Sequence, residues 1–321
     1  MRHYIIRYFG WIKPLLTLAA AALITLSLAP YAPVSNLATD LFSHFVVYYT
    51  LAAIIILLAA FLLKASKTSF VLIGFVLALN TYTLAPYIPA PAQETPAEKT
   101  VKVLQVNTLF LNKNTDALAA LIRQENPDII AASEVNGAFA DLFASLRADY
   151  PYNQIAARDA DARGLAFLSR IEAVDIERSF IGDKDIPAQT AKIRIGTQDI
   201  HFVSIHPRTP MDGPQKRDMV FTALAEKYSK LRAENGRLII AGDFNATPWC
   251  PAQKTLTKNL TLSNAREGFG LHTSWPVWLP ALLRIPIDHV LVGGDIRVVD
   301  YRTGPNVGSD HLPGIAVLAI P

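Results

Sequence analysis

A single cysteine, Cys250, stands in 321 residues. No disulfide and no cluster of thiolate metal ligands can form within the chain, so a disulfide-stapled scaffold and a zinc–cysteine domain are both excluded. A surplus of charge is missing as well. From Val101 onward there are 24 basic and 24 acidic residues, so the net charge of +3 arises before that point. A neutral domain argues weakly against a nonspecific nucleic-acid binder, which usually carries a basic face, and leaves a local patch open for such contacts. Charge is also absent from the middle of three apolar runs, residues 11–29, 45–63 and 70–88. No internal repeat is visible.

Each of those runs is close to the ~20 residues that cross a bilayer core. Tyr8, Trp11, Tyr31, Tyr48, Tyr49, Tyr82 and Tyr87 gather at their ends, as aromatic side chains do at a lipid–water boundary. A buried core helix explains one such run, and a cleaved signal peptide explains only the first. Three in succession predict a membrane anchor over residues 1–88. Arg2, Arg7 and Lys13 precede or enter the first run, and Lys64 and Lys67 lie between the second and third. Residues 30–43 contain no Lys or Arg. By the positive-inside rule the N-terminus and second loop are cytoplasmic, and everything after residue 88 lies across the membrane. In a bacterium this gives a multi-pass protein of the inner membrane with a periplasmic or extracellular domain. The proline-rich stretch "PYIPAPAQETPAEKT" then reads as an extended linker, residues 89–100.

Residues 101–321 read as a mixed α/β domain. "VKVLQVN", "DIIAASEV", "GLAFLSR", "RLIIAGDFN", "IDHVLV", "IRVVDYR" and "GIAVLAI" have strand composition. "AKIRIGTQDIHFVSIHP" reads as a hairpin turning near residues 196–198. Helices are expected after Asn114 or Thr115 up to Pro127, near residues 139–147, and over about 215–234.

Polar residues collect at the ends of these strands: Asn107, Glu134, His206, Asp243 with Asn245, Asp288 with His289, and Ser309, Asp310 and His311. Any one alone reads as a turn, a cap or an ordinary histidine. Together they are carboxylates, carboxamides and imidazoles without thiolates, a set that suits Mg²⁺, Mn²⁺ or Ca²⁺. Strand ends of α/β sheets are also where sites assemble.

The segments "QVN", "SEV", "GLAFLSR", "SIHP", "AGDFNATP", "PIDHVLV" and "GSDHLPG" occur in an order that resembles the endonuclease/exonuclease/phosphatase superfamily. This group includes pancreatic-type deoxyribonucleases, abasic-site endonucleases, neutral sphingomyelinases and inositol-polyphosphate phosphatases. The resemblance covers about residues 101–320. It implies a four-layer α/β sandwich, two mixed sheets face to face with helices outside, here preceded by three transmembrane helices. It implies metal-dependent hydrolysis of a phosphodiester by in-line attack of water, with Mg²⁺ as cofactor and Mn²⁺ or Ca²⁺ as alternatives. Glu134, Asn107 and Asp310 are then the metal-site residues. Asp243 and Asn245 align and activate water, His311 oriented by Asp288 faces the scissile phosphate, and His206 is the second phosphate-facing histidine. Thr108 and Leu109 stand where abasic-site enzymes have an acidic residue nearby, so the resemblance supports one metal more than two. His289 receives no role, and Arg170 is read as framework.

Substrate identity is left between nucleic acid and a phospholipid-type ester. "LHTSWPVWLPALLRIP", residues 271–286, is either a packed loop or an apolar lip beside the site, with Trp275, Trp278, Leu279, Leu282, Leu283 and Ile285. Arg208 is either a phosphate contact or an ordinary surface arginine. The expected partners are the bilayer and a phosphoester substrate, with no protein partner indicated. The alternative from a different class is a catalytically inactive, membrane-tethered binding module of the same fold. It is disfavoured by the complete set of site residues.

Overall fold

The structure, a computed structural model, describes residues 11–33, 36–90, 99–196 and 198–321. Arg2, Arg7, Tyr8, Thr197 of the expected turn and residues 91–98 of the expected linker lie outside this set. Two compact units are distinguished, one mainly of helices up to Pro86 and one mainly of sheets from Tyr87 onward.

In the first unit, α1 (Ile12–Ser27), α3 (Val46–Leu63) and α4 (Lys67–Leu84) are long and apolar enough to cross a membrane. A short helix α2 (Leu37–Ser43) begins at Asn36, which forms a reciprocal capping box with Thr39. Helix α4 starts three residues before its apolar run because the Ser66 side chain caps Ser69 N at 3.2 Å. The long helices meet through small and branched residues, Ala20, Ala53, Ala60, Ile73 and Val76. Small residues let helix backbones approach where lipid offers no hydrophobic drive to associate. Two hydroxyl pairs join α1 and its C-terminal turn to α4: Thr17 with Ser69 and Tyr31 with Thr83, each at 2.7 Å.

The second unit is an α/β sandwich of two six-stranded mixed sheets flanked by helices. Its strands are β1 (Lys99–Asn107), β2 (Ile129–Ser133), β3 (Tyr152–Ala156), β4 (Leu165–Ser169), β5 (Ala173–Phe180), β6 (Pro187–Ile195), β7 (Gln198–Ile205), β8 (Arg237–Asp243), β9 (Ser263–Asn264), β10 (Asp288–Gly293), β11 (Arg297–Thr303) and β12 (Gly314–Ile320). One sheet has the order β11-β12-β1-β2-β4-β3, the other β5-β6-β7-β8-β10-β9. In each, one central pair is parallel, β1 with β2 and β7 with β8, and the remaining pairs are antiparallel. Parallel neighbours need a crossover. Helix α5 (Asp116–Glu125) supplies the first and α7 (Pro214–Ala233) the second; α6 (Gly137–Ser145) and α8 (Pro251–Asn259) complete the set. Helix α5 ends at Asn126, in the left-handed conformation, ahead of Pro127.

The pleat divides each central strand between two cores. Val101 and Val103 of β1, Ile129 and Ala131 of β2, Phe202 of β7, Ile239 and Ala241 of β8, and Val290 and Val292 of β10 fill one cluster between the sheets. Leu104, Val106, Ile130 and Ala132 point the other way, onto Leu118, Leu121, Phe139 and Phe143 of the helices.

Strands β3, β5 and β9 and helix α8 were not expected from the sequence. Strands β3 and β5 are sheet edges. The signal of β5 is further broken by a register shift between Val174 and Glu177, with Asp175 at φ 51°. Strand β9 has two residues and leaves no periodicity to read.

Candidate active site

Counting by twos along the strands carries the intersheet face to its end. Asn107 shares the facing of Val101 and Val103, Asp243 that of Ile239 and Ala241, Asp288 that of Val290 and Val292, and His206 that of Ile200 and Phe202. The apolar core therefore becomes polar at one end of the sandwich. Asp288 and Asp243 are direct partners across β10 and β8. At Gly242, φ is 149° and a Cβ would stand 1.9 Å from Ile205 O, so only glycine permits β8 to pair with β7 just before Asp243. Glu134 follows β2 with φ 58°, and the Thr108 hydroxyl donates to Ser133 O at 3.1 Å and Glu134 O at 2.9 Å, bracing that turn.

Asp243 is the hub. Its Oδ1 accepts from Asn245 N at 2.8 Å, and its Oδ2 accepts from Asn107 Nδ2 at 3.1 Å. The same Oδ2 lies 3.5 Å from His206 Nε2 and 3.7 Å from His311 Nε2. Asn107 Nδ2 also reaches Glu134 Oε1 at 2.9 Å, while its oxygen accepts from Leu109 N. Glu134 Oε2 accepts from Phe110 N at 3.1 Å. His206 Nδ1 donates to Ala162 O at 3.0 Å, which directs Nε2 to the carboxylates. His311 Nδ1 donates to Asp288 Oδ2 at 2.8 Å. Asn245, at φ 50°, donates from Nδ2 to Pro207 O at 3.0 Å.

Burial opposes charge on these imidazoles, but the neighbouring carboxylates win. Asp243 and Glu134 raise His206 to about 9. Asp288 and Asp243 raise His311 to about 10. Burial likewise opposes the Asp243 carboxylate, yet His311 and His206 lower it to about 2. Both histidines are thus cations beside an ionised Asp243 near neutral pH.

Asp310 stands on the His311 side: Oδ1 is 4.0 Å from His311 Nε2, and Oδ2 accepts from the Trp275 indole at 3.1 Å. Among the described residues, two groups bring metal-ligating atoms within 4.8 Å of one another, Glu134–His206–Asp243 and Asp243–Asp288–His311. Asp310 belongs to neither. Asn107 borders the first with its amide nitrogen rather than its oxygen.

Three residues missed in the sequence complete the site. Gln105 donates from Nε2 to Asp288 Oδ1 at 2.9 Å. Its signal is a buried glutamine facing inward within a strand of apolar residues. Arg266 is fully buried, donates to Asp288 O and also reaches Tyr301 Oη at 3.1 Å; nothing in its sequence context announces this. Trp275, read only as part of the apolar stretch, positions Asp310. His289 is a core residue: Nε2 donates to Ala246 O at 2.8 Å, Nδ1 accepts from Asn264, and burial holds its pKa well below the usual value. Arg170 stacks over Tyr150 as framework. Arg208 is engaged by Asp183 at 2.7 Å and Asp185 at 3.2 Å.

Residues 104–311 match the sequence model of the Endonuclease/Exonuclease/phosphatase family. No curated protein matches the chain. Among solved structures, truncated TDP2 from Caenorhabditis elegans is similar at 15% identity and a TM-score of 0.56, covering 69% of this chain and 98% of its own. The human Nocturnin catalytic domain gives 18% and 0.57, with 71% and 97% covered. An endonuclease/exonuclease/phosphatase protein from Bacteroides vulgatus gives 20% and 0.58, with 70% and 100% covered. At these identities the likeness is one of fold.

Proposed function

Because the chain belongs to the endonuclease/exonuclease/phosphatase family, we propose that it is a membrane-anchored, divalent-metal-dependent phosphodiesterase. The supporting observation is the convergence on Asp243 Oδ2 of two imidazoles and a carboxamide, with Glu134 alongside. Asp243 aligns and activates the attacking water, and Asn245 fixes Asp243 through its backbone N–H. His206 and His311 are cationic donors for the phosphoryl oxygens, where charge grows in the transition state. Asp288 holds the His311 tautomer and supports its imidazolium.

The Glu134–His206–Asp243 group fits a divalent cation, since it gathers two hard carboxylates whose charge His206 otherwise balances. Glu134 would hold it beside Asn107. Mg²⁺, or Mn²⁺ or Ca²⁺ in its place, would supply neutralisation of phosphoryl charge. On this reading residues 1–88 are the anchor, 89–100 the linker and 101–321 the catalytic domain. Its partners are the bilayer and the phosphoester. Lys64 and Lys67 support a cytoplasmic second loop and hence a catalytic domain across a bacterial inner membrane.

The test uses purified full-length protein and bis(p-nitrophenyl) phosphate. Hydrolysis is expected to cease with excess chelator and to return with Mg²⁺ or Mn²⁺. Full activity in metal-stripped buffer would overturn the mechanism. A C-terminal alkaline phosphatase fusion, expected to be active in cells, tests the topology.

A further inference from the structure

From Lys99 onward, six large apolar side chains are more than half exposed, at 53–74%: Leu111, Phe180, Met211, Met219, Trp278 and Leu282. Single exposed apolar residues are ordinary. These six are not scattered. The strand registers place the C-terminal ends of β1, β7 and β8 and the N-terminal ends of β6 and β10 at the end of the sandwich that carries the site. Leu111 lies on the loop that leaves Asn107, and Met211 on the loop that leaves His206. Trp278 and Leu282 lie on the segment that enters Asp288. Phe180 closes β5 and pairs with Pro187, the first residue of β6. Met219 is in the second turn of α7, against the loop at Gly182. Among the described residues, the loops at the opposite end carry no such side chain.

We infer that this end of the catalytic unit enters a lipid–water interface, and that the substrate is a phospholipid held there. The substrate half rests on the phosphodiesterase reading above. Three observations favour lipid as the occupant. The same chain carries three helices long and apolar enough to cross a bilayer, which keeps a lipid surface within reach of the domain. Trp and Leu side chains partition into such interfaces. Three arginines of the rim are engaged by the protein itself: Arg158 by Asp161, Arg208 by Asp183 and Asp185, and Arg284 by Leu279 O and Val277 O. These guanidinium groups are then not free to track a nucleic-acid backbone, and the exposed lysines of this end are Lys113, Lys184 and Lys216.

Trp275 stands between the lip and the catalytic groups. The Trp278 ring meets Trp275 edge-on at 6.3 Å, and Trp275 lies 6.4 Å from the His311 ring. The segment is braced by the Trp275–Ile285 bridge and by Thr273 Oγ1 donating to Ala281 O at 2.8 Å. Little conformational freedom is lost when it docks. In the reaction the water oxygen bonds to phosphorus and one phosphorus–ester oxygen bond breaks. The proton taken from water passes to the departing alkoxide, leaving an alcohol and a phosphomonoester.

The experiment places the full chain in nanodiscs of phosphatidylglycerol with or without dibrominated acyl chains, which quench indole emission on contact. Wild type is expected to lose a larger fraction of its emission than Trp278→Phe. Equal quenching of the two means that Trp278 stays in water and overturns the docking, whatever the activity. In parallel, Trp278→Ser/Leu282→Ser is assayed with Mg²⁺. Phospholipid turnover is expected to fall ~10-fold or more, as loss of buried apolar anchors implies. Cleavage of bis(p-nitrophenyl) phosphate should stay within about twofold, as for surface changes. Cleavage of bis(p-nitrophenyl) phosphate without phospholipid hydrolysis, or a loss seen only with a single-stranded oligonucleotide, overturns the substrate assignment. No cleavage of any ester overturns the phosphodiesterase reading and the substrate half with it, while the quenching still decides the docking.

Discussion

Asp243 is flanked by two histidines that are held from behind in different ways. His311 is backed by a carboxylate, Asp288, at 2.8 Å, and His206 by a peptide carbonyl, Ala162 O, at 3.0 Å. Both present Nε2 to the same oxygen of Asp243. An imidazole backed by a carboxylate keeps its positive charge even when its other neighbours change. An imidazole backed by a carbonyl draws its charge from whatever lies in front, here Asp243 and Glu134. A cation bound at Glu134 therefore competes with His206 far more than with His311. One side of the site is built to keep its charge, and the other would give up its charge to a cation held at Glu134.

The largest effect is expected from removing what the two sides share. Asp243→Asn should lower turnover of bis(p-nitrophenyl) phosphate by about 10⁴-fold, the scale of losing the carboxylate in a carboxylate–histidine unit. Loss of less than tenfold would mean that neither histidine depends on it. Next come Asp288→Asn and His311→Ala, each expected to cost about 10³-fold, with the double mutant scarcely worse than the poorer single one. Multiplying losses would show that Asp288 serves something other than His311. Gln105→Leu should cost about 10- to 100-fold, the range for a partner that orients a site residue. It should also shift the pH–rate profile, which a merely packed glutamine would leave in place.

The smallest effect is in stability. Both histidines have folded pKa values above the unfolded value of about 6.5. Their contribution is complete below that pH and fades as pH rises through about 9 for His206 and about 10 for His311. Metal-free protein should accordingly melt at progressively lower temperature across that window, and His206→Gln should remove the earlier part of the decline. Ring-carbon NMR titration sharpens the contrast: Mg²⁺ should move the His206 midpoint downward more than that of His311.

Much of this arrangement was legible because polar residues interrupt apolar strands. Asn107, Asp243 and Asp288 each stand where a buried run should continue or begin, and an uncompensated carboxylate there is costly. The central strands were readable because both their faces are covered. Strand β5 was not, since this edge shows water a charged flank, as the Asp175–Lys192 pair at 2.7 Å does, and β3 begins with the polar residues Tyr152, Asn153 and Gln154. Gln105 escaped notice because its meaning lies 183 residues away, at Asp288. Asp310 sits beside His311 in sequence, but sequence does not say which way its carboxylate turns, and it is turned to the Trp275 indole. His289 adjoins Asp288 and faces the opposite side of the sheet. Adjacent strand residues always part in this way.

The pleat also governs which length changes the domain can survive. Deleting one residue within β8 would rotate Asp243 to the helix-covered face and bring its neighbours inward. Deleting two would keep its facing and remove one layer of packing. Length changes within β1, β8 and β10 that keep the site facing inward are thereby confined to even steps. The connections at the far end, such as residues 234–236 and 294–296, can gain or lose single residues without turning any catalytic group away.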